Sequence, residues 1–174
     1  MSAENIKKAK PKTTMIREAT TGDFPEMVAG AERFNCAAGT GIDIDPASLL
    51  RSFHHLLESP DGILLVLVSD VGHVVGGAGA ILYPHPFNAH HRMAQEAFVW
   101  IDPAYRGQGV ALFRTLEAAA KAQGAKHVIM GATAALRPDA VGLLFKRMGY
   151  RPMGTNYSKQ VGPRADTRNV TDAG

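Results

Sequence analysis

The chain has 174 residues, of which 45% are hydrophobic and 20% are charged, and this suffices for the core of one ordinary domain. No apolar run approaches the roughly 18 residues of a transmembrane helix, and none lies near the start, which predicts a cytoplasmic protein with no membrane contact. The net charge of +3 depends largely on lysines before residue 14, and the lack of interleaved aromatic residues argues against nucleic acid as a partner.

The two ends of the chain differ in composition from its middle. We expect residues 1–13 to form a basic, disordered tail, residues 14–160 to form one folded domain, and residues 161–174 to form a loosely ordered tail. The single cysteine, Cys36, excludes an internal disulfide and a cysteine-based zinc site. Its apolar neighbours on a predicted helix indicate a small core residue.

Two helices are predicted in the first third of the domain. Asp23 and Glu26 have the spacing of a capping box at the start of the first helix. Asp45 and Pro46 start the second helix, since Asp is a favoured cap and Pro is favoured at the first helical position. The apolar period of the second helix continues to Glu58.

Strands are predicted on both sides of these helices. A first strand spans 14–19, and the β-rich runs at 62–69 and 74–83 are close enough to form an antiparallel hairpin. Glycine inside a strand indicates close approach of another backbone or of a ligand, although loose packing leaves the same signature. Three such glycines lie in the last of these runs: Gly76, Gly77 and Gly79.

The second half of the domain alternates strands with helices. A proline-histidine loop over 84–91 leads to a strand over 94–101, a glycine-rich turn and a helix that stops at Gly124. The remaining predicted elements are a strand over 126–131, a helix from Pro138 to Gly149, and strands near 150–152 and over 155–161.

The glycine-rich turn has the features of a phosphate site. Gly107 and Gly109 let the backbone come close to a ligand because no Cβ stands in the way. The free N–H groups of the first helical turn and the helix dipole attract an anion, and Arg106 adds a positive charge.

Three kinds of phosphate site compete for this turn. A P-loop fails because it needs Lys and then Ser or Thr after its last glycine, where this chain has Val110 and Ala111. A dinucleotide fingerprint needs a third glycine at Leu112 and is disfavoured, though it stays open. The third kind is the pattern Arg/Gln-x-x-Gly-x-Gly/Ala, which is satisfied by Arg106, Gly109 and Ala111.

That pattern, preceded by Ile-Asp-Pro at 101–103, resembles the coenzyme A pyrophosphate loop of the GNAT superfamily of N-acetyltransferases. The order of elements over 14–160 resembles the whole GNAT fold, and Gly-Tyr at 149–150 resembles the family's closing segment. The chain is similar to small bacterial and phage-associated members. The resemblance implies an α+β (α/β/α) fold, with helices on both faces of a mixed central sheet that splays at the cofactor strand.

The resemblance also implies where acetyl-CoA, the acyl donor, is bound. Backbone groups of the cofactor strand pair with the pantetheine arm, and N–H groups of the turn hold the pyrophosphate. The implied residues are Val99, Trp100 and Ile101 on the strand, and Arg106, Gly107, Gln108, Gly109, Val110 and Ala111 at the turn. The Trp100 side chain itself is expected to be a core aromatic.

Acetyl transfer to an amine needs a group that accepts a proton, and Glu96 is the candidate. A carboxylate in an apolar strand should have a raised pKa, which suits a general base. The alternative is a carboxylate paired with an arginine such as Arg92. Many relatives carry the acid at the position of Gln95, so Glu96 requires a β-bulge that turns it into the cleft.

The leaving thiolate needs a proton donor. In the resembled family this is a tyrosine of the last helix, and the matching position here is Phe145. Tyr157 on the terminal strand is the best substitute, although an aromatic residue there can simply be packing.

Three histidines precede the cofactor strand, where the resemblance puts the substrate. We predict that His85, His90 and His91 lie near the substrate, with plain solvated histidines as the alternative. Two prolines in the same segment argue against a preformed metal site, and no metal is predicted.

The resemblance therefore implies an N-acetyltransferase that moves an acetyl group from acetyl-CoA to a primary amine of a small molecule or peptide, by direct transfer in a ternary complex. Two other functions stay open. One is an acyl-CoA-binding regulatory or partner-binding module with little catalysis, and the other is acetylation of an aminoacyl-RNA. Dimers are common among relatives, so a homodimer is compatible with the sequence.

Overall fold

Five strands form one mixed β-sheet with the order β1-β2-β3-β4-β5. The computed structural model describes residues 14–39, 41–132, 138–154, 159 and 161–162. Neighbouring strands from β1 to β4 are antiparallel, and β5 is parallel to β4. The strands are β1 Thr14–Glu18, β2 Gly62–Ser69, β3 Val74–His85, β4 Asn88–Ile101 and β5 His127–Ile129. The helices are α1 Phe24–Ala38, α2 Pro46–Glu58, α3 Gly109–Ala122 and α4 Pro138–Arg147.

Each face of the sheet is covered by helices. On one face, α1 and α2 bury a cluster that includes Met27, Phe53 and Trp100. On the other face, α3 buries Leu112 and Leu116 against small and aliphatic side chains of the strands. This arrangement confirms the predicted α+β fold with a mixed sheet between two helical layers. None of the described helices is long and apolar enough to cross a membrane.

The start of α1 differs from the predicted capping box. Asp23 lies in a 3-10 turn before the helix, where its carboxylate accepts bonds of 2.7 Å from Thr20 N–H and from both terminal nitrogens of Arg17. The Glu26 carboxylate accepts a hydrogen bond from Val74 N–H, at the start of β3. The capping-box prediction is wrong because each carboxylate binds a partner outside the first turn of α1.

The predictions for α2 and the following hairpin are confirmed. The Asp45 carboxylate accepts hydrogen bonds of 3.1 Å from the backbone N–H groups of Ala47 and Ser48, as a helix cap should. The helix ends at Glu58, and β2 occupies 62–69 as its apolar run indicates.

We expect Asp23→Asn to lower the free energy of unfolding by about 2 kcal/mol. The hydrogen-bonded Arg17 guanidinium is the main reason that the pKa of Asp23 falls from 3.8 to about 2, and each pKa unit corresponds to about 1.4 kcal/mol. Because the folded-state pKa is the lower one, this stability is present above pH 3.8 and is lost as the pH falls through about 2. Urea unfolding checks the value, with the exposed Asp43→Asn as control. Equal losses in the two variants at neutral pH would contradict the prediction.

The three glycines of β3 make room for aromatic side chains and backbone of β4. A Cβ on Gly79 would lie 2.6 Å from the Phe98 ring, and a Cβ on Gly77 would lie 3.0 Å from Trp100 Nε1. A Cβ on Gly76 would lie 3.1 Å from the carbonyl oxygen of Trp100. These glycines therefore mark close packing of the neighbouring strand.

The segment predicted as a loop over 84–91 is a β-hairpin. β3 continues to His85 and β4 begins at Asn88, so the prediction is wrong. Among the described strands, β2 pairs with β3 only as far as Ile81. Pro84 lies beyond that pairing, where β3 has β4 alone as its neighbour, so the proline is tolerated as on an edge strand.

Cys36 is exposed and is not the core residue that we predicted. The buried side of α1 includes Phe24, Met27 and Gly30. At 100° per residue, Cys36 lies half a turn around the helix from Met27. Apolar neighbours in the sequence therefore do not put it on the buried face.

The chain divides after Pro138 into two compact units. In the second unit, the last helix ends before Gly149, as predicted. The φ of 96° at Gly149 is the left-handed conformation that favours glycine after a helix. The rings of Phe145 and Tyr150 lie 5.3 Å apart.

The two strands predicted after α4 have different outcomes. Residues 150–154 form no strand, so the strand predicted near 150–152 is wrong. Pro152 and Gly154 explain this, since both residue types are disfavoured in strands. The strand predicted over 155–161 falls largely outside the described residues.

Candidate functional site

β4 and β5 are paired along only part of their length. The parallel register couples Met93, Ala94 and Gln95 to His127–Ile129. β4 then continues to Ile101 with β3 as its only neighbour among the described strands. The two strands therefore diverge after Gln95, as the resemblance implied, and β5 is shorter than the predicted strand over 126–131. Backbone groups of 96–101 that point away from β3 are left available to a ligand.

A β-bulge lies where the two strands diverge. Glu96 and Phe98 are opposite the consecutive residues Ala80 and Gly79, which leaves Ala97 as the extra residue. The bulge shifts the alternation of side chains by one position, so Glu96 does not share a face with Phe98. The bulge that Glu96 required is therefore present.

The Glu96 carboxylate bridges the gap between the diverging strands. Its Oε2 accepts a hydrogen bond of 2.7 Å from Gly131 N–H, two residues beyond the end of β5. Burial raises the pKa of Glu96 above its ordinary value, and the bond from Gly131 partly opposes this. Arg92, the alternative partner, instead contacts Asp61 and donates to the carbonyl oxygen of Gln123 at 2.7 Å. Within the described chain, Glu96 has no ion pair.

The glycine-rich turn is a 3-10 segment, Pro103–Gln108, that runs directly into α3 at Gly109. Gly107 is exposed, its φ is not left-handed, and a Cβ there would meet no atom within 4 Å. Neither the backbone nor the packing of the described residues requires glycine at 107. Gly109 is buried, and its added Cβ would lie 3.4 Å from the Ile101 side chain. Arg106 is exposed on the same turn.

The end of β4 is held by contacts that sequence reasoning missed. Asp102 N–H donates to the carbonyl oxygen of Val75 at 2.9 Å, and its carboxylate accepts bonds of 3.1 Å from Arg33 of α1. The Arg33 guanidinium also lies 5.9 Å from the centre of the Trp100 ring. Trp100 as a whole residue is only 4% exposed, so a ligand in the gap cannot use its indole. Since Asp102 N–H faces β3 and backbone groups alternate along a strand, those of Trp100 also face β3, and those of Val99 and Ile101 face the gap.

The histidines predicted near the substrate lie at the paired end of β4 and β5. His91 Nε2 is 2.7 Å from His127 Nδ1, and the rings of His85 and His91 are 6.0 Å apart. Desolvation and the neighbouring His127, Lys126 and His85 lower the pKa of His91. Along the strand, His91 is about 17 Å from Glu96 at 3.3 Å per residue. Contact of these histidines with the substrate stays a prediction.

Two further predictions concern Tyr157 as the proton donor and the absence of a metal site. Tyr157 lies outside the described residues, so its role as proton donor stays a prediction. Among the residues that the structure does describe, no group of three potential ligands could hold a metal ion.

Comparisons with known proteins agree with this architecture. A family model described as "Acetyltransferase (GNAT) family" matches residues 29–150. The curated proteins contain no match.

Solved structures share the fold at low sequence identity. Glucosamine-6-phosphate N-acetyltransferase from Arabidopsis thaliana is 14% identical, with 87% of this chain and 100% of that chain covered and a TM-score of 0.69. A predicted acetyltransferase with acetyl-CoA from Clostridium acetobutylicum is 19% identical, with 86% and 97% covered and a TM-score of 0.68. An aminoglycoside acetyltransferase from an uncultured soil metagenomic sample is 21% identical, with 86% and 99% covered and a TM-score of 0.66.

Proposed function

This chain belongs to the GNAT acetyltransferase family, and on that premise we propose that it transfers the acetyl group of acetyl-CoA to a primary amine. Acyl transfer from acetyl-CoA follows from the family, and the amine acceptor is our proposal. The observation that carries it is the half-buried Glu96 carboxylate, which lies at the gap between β4 and β5 without a cationic partner among the described residues. Such a carboxylate can accept a proton from an amine.

Acetyl-CoA fits the gap and the glycine-rich turn. The backbone of Val99 and Ile101, on either side of Trp100, offers polar groups to the amides of the pantetheine arm. The start of α3 offers an anion site over 107–111, with Arg106 beside it. The N–H of Gly109 already donates to the carbonyl oxygen of Arg106, so we assign the anion to the next N–H groups of the first turn, those of Val110 and Ala111. The open space at Gly107 supports this assignment, because the described chain itself gives no reason for glycine there.

The reaction needs a neutral amine, although an amine with a pKa of about 10.4 is mostly protonated at neutral pH. Glu96 accepts a proton from the amine, and the nitrogen then attacks the thioester carbonyl. The C–N bond forms, the C–S bond breaks, and the thiolate leaves with the electron pair. The positively charged nitrogen of the new amide then loses its extra proton and the thiolate takes one up, so the products are a neutral amide and a free thiol. The N–H of Val99, which points away from β3, stabilises negative charge on the carbonyl oxygen. We assign the proton donor to Tyr157.

A small-molecule amine is the acceptor class we propose first. Two structural neighbours are named for compounds that carry amines, glucosamine-6-phosphate and an aminoglycoside. A peptide amine is the second class.

Thiol release from acetyl-CoA over a panel of amino sugars, polyamines and peptides tests this function. We expect release that depends on the acceptor and on Glu96, with an acetylated amine as the second product. Absence of release with every amine would contradict the proposal.

A second function is favoured by Phe145, which the resemblance matches to the family's donor tyrosine. It is an acyl-CoA-binding module with little catalysis. Saturable binding of acetyl-CoA without thiol release, over the same panel of amines, would support this function.

A further inference from the structure

We infer that the backbone N–H of Gly131 is a positioning group for the proposed reaction, because it fixes the Glu96 carboxylate across the gap between β4 and β5. The inference rests on the proposed function of Glu96 as the base. It assigns a role to the backbone of a glycine, which has no side chain that could take part in the reaction.

The sheet by itself does not hold residues 96 and 131 together. The last paired residues of β4 and β5 are Gln95 and Ile129, and beyond them no ladder bond joins the strands. The bond of 2.7 Å from Gly131 N–H to Glu96 Oε2 spans this opening. A Cβ on Gly131 would lie 3.5 Å from Oε2, so the backbone of Gly131 is in direct contact with the carboxylate.

The bond holds one carboxylate oxygen and leaves the other for the amine. Among the described residues, no donor reaches Oε1 of Glu96, so this oxygen can accept the proton of an incoming amine. With Oε2 fixed, the carboxylate loses the freedom to rotate away from the gap, and a fixed base is more effective than a mobile one.

The same bond adjusts how readily Glu96 takes up a proton. Burial and the Gly131 N–H are the causes of the shift in its pKa, burial raising it and the N–H lowering it, and no charged side chain of the described residues contributes. A hydrogen bond to a carboxylate favours the ionised form. Loss of this bond therefore leaves a larger fraction of Glu96 protonated at neutral pH.

Gly131→Pro removes the donor, and Gly131→Ala keeps it. We expect the acid limb of the kcat/KM profile for amine acetylation to move up by about one pH unit in Gly131→Pro, since a bond to a charged group is worth about that much. The limb should stay in place in Gly131→Ala. A bond that only clamps the two strands would change the unfolding temperature and leave the limb unmoved. Identical limbs in wild type and Gly131→Pro would overturn the inference.

A measurement on the wild-type protein does not depend on how the proline variant folds. In a pH titration followed by amide NMR, the Gly131 resonance should move with the ionisation of Glu96. The response should vanish in Glu96→Gln, and the Gly107 amide should serve as a silent control. If the Gly131 amide resonance does not change as Glu96 ionises in an enzyme that acetylates amines, the inference about Gly131 is overturned and the proposed function is not. A responsive amide in a protein that acetylates no amine would overturn the proposed function, and the catalytic role of Gly131 with it.

Discussion

Glu96→Gln is expected to lower kcat/KM for amine acetylation by about 10² to 10⁴-fold, the usual contribution of a general base. The substitution removes the proton acceptor but keeps a side-chain oxygen that can accept the bond from Gly131 N–H. In wild type, the rate should fall as the pH drops through the raised pKa of Glu96, because the base becomes protonated. Steady-state kinetics over a pH range measure both effects.

Two controls separate lost chemistry from lost folding. Glu32→Gln alters an exposed glutamate of α1 and should leave the rate unchanged. The folded-state pKa of Glu96 is raised, so the folded protein favours the protonated carboxyl group. The resulting stability is fully present below the unfolded-state pKa of 4.5 and is lost as the pH rises through the higher folded-state pKa. Glu96→Gln should therefore be at least as stable as wild type at neutral pH. If Glu96→Gln is inactive and also unfolds at a lower temperature than wild type, the lost activity would not support Glu96 as the general base.

Gly107→Leu is expected to raise the Kd for acetyl-CoA by about 100-fold, equivalent to about 2.7 kcal/mol. The leucine side chain would occupy the open space beside the start of α3, which we assign to the pyrophosphate. Stability should be unaffected, because an added Cβ meets no atom of the described chain. Calorimetric titration and thermal unfolding together check this prediction.

Gly22→Leu is the matched control for Gly107→Leu. Gly22 is also an exposed glycine without a left-handed φ in a 3-10 turn, and an added Cβ there would meet only Thr20 Oγ1 at 3.6 Å. Its Kd for acetyl-CoA should equal that of wild type. Equal weakening in the two variants would show that the turn at 107 has no special part in binding.

Local signals in the sequence predict the elements that local chemistry determines. The cap at Asp45, the turn between β2 and β3, and the glycine after α4 obey rules that involve neighbouring residues only. The loop prediction for the Pro84 segment is wrong because proline usually indicates a loop. A strand tolerates proline where the neighbouring strand is no longer paired with it, and β2 pairs with β3 only as far as Ile81.

The site depends on contacts between distant parts of the chain. The motif at 106–111 indicates an anion site, but the place where β4 and β5 diverge is set by tertiary pairing. Sequence reasoning states that Glu96 needs a bulge and cannot locate it at Ala97. Gly131 has no side chain that could signal its bond to Glu96, and Arg33 is 69 residues from Asp102.

Titration of the isotope-labelled protein with acetyl-CoA, followed by its backbone amide resonances, tests the central claim most directly. We predict saturable changes concentrated over 96–101 and 107–111, where β4 leaves β5 and α3 begins. Silence at millimolar acetyl-CoA, or changes confined to the paired end of β4 and β5 around His91 and His127, would contradict the account.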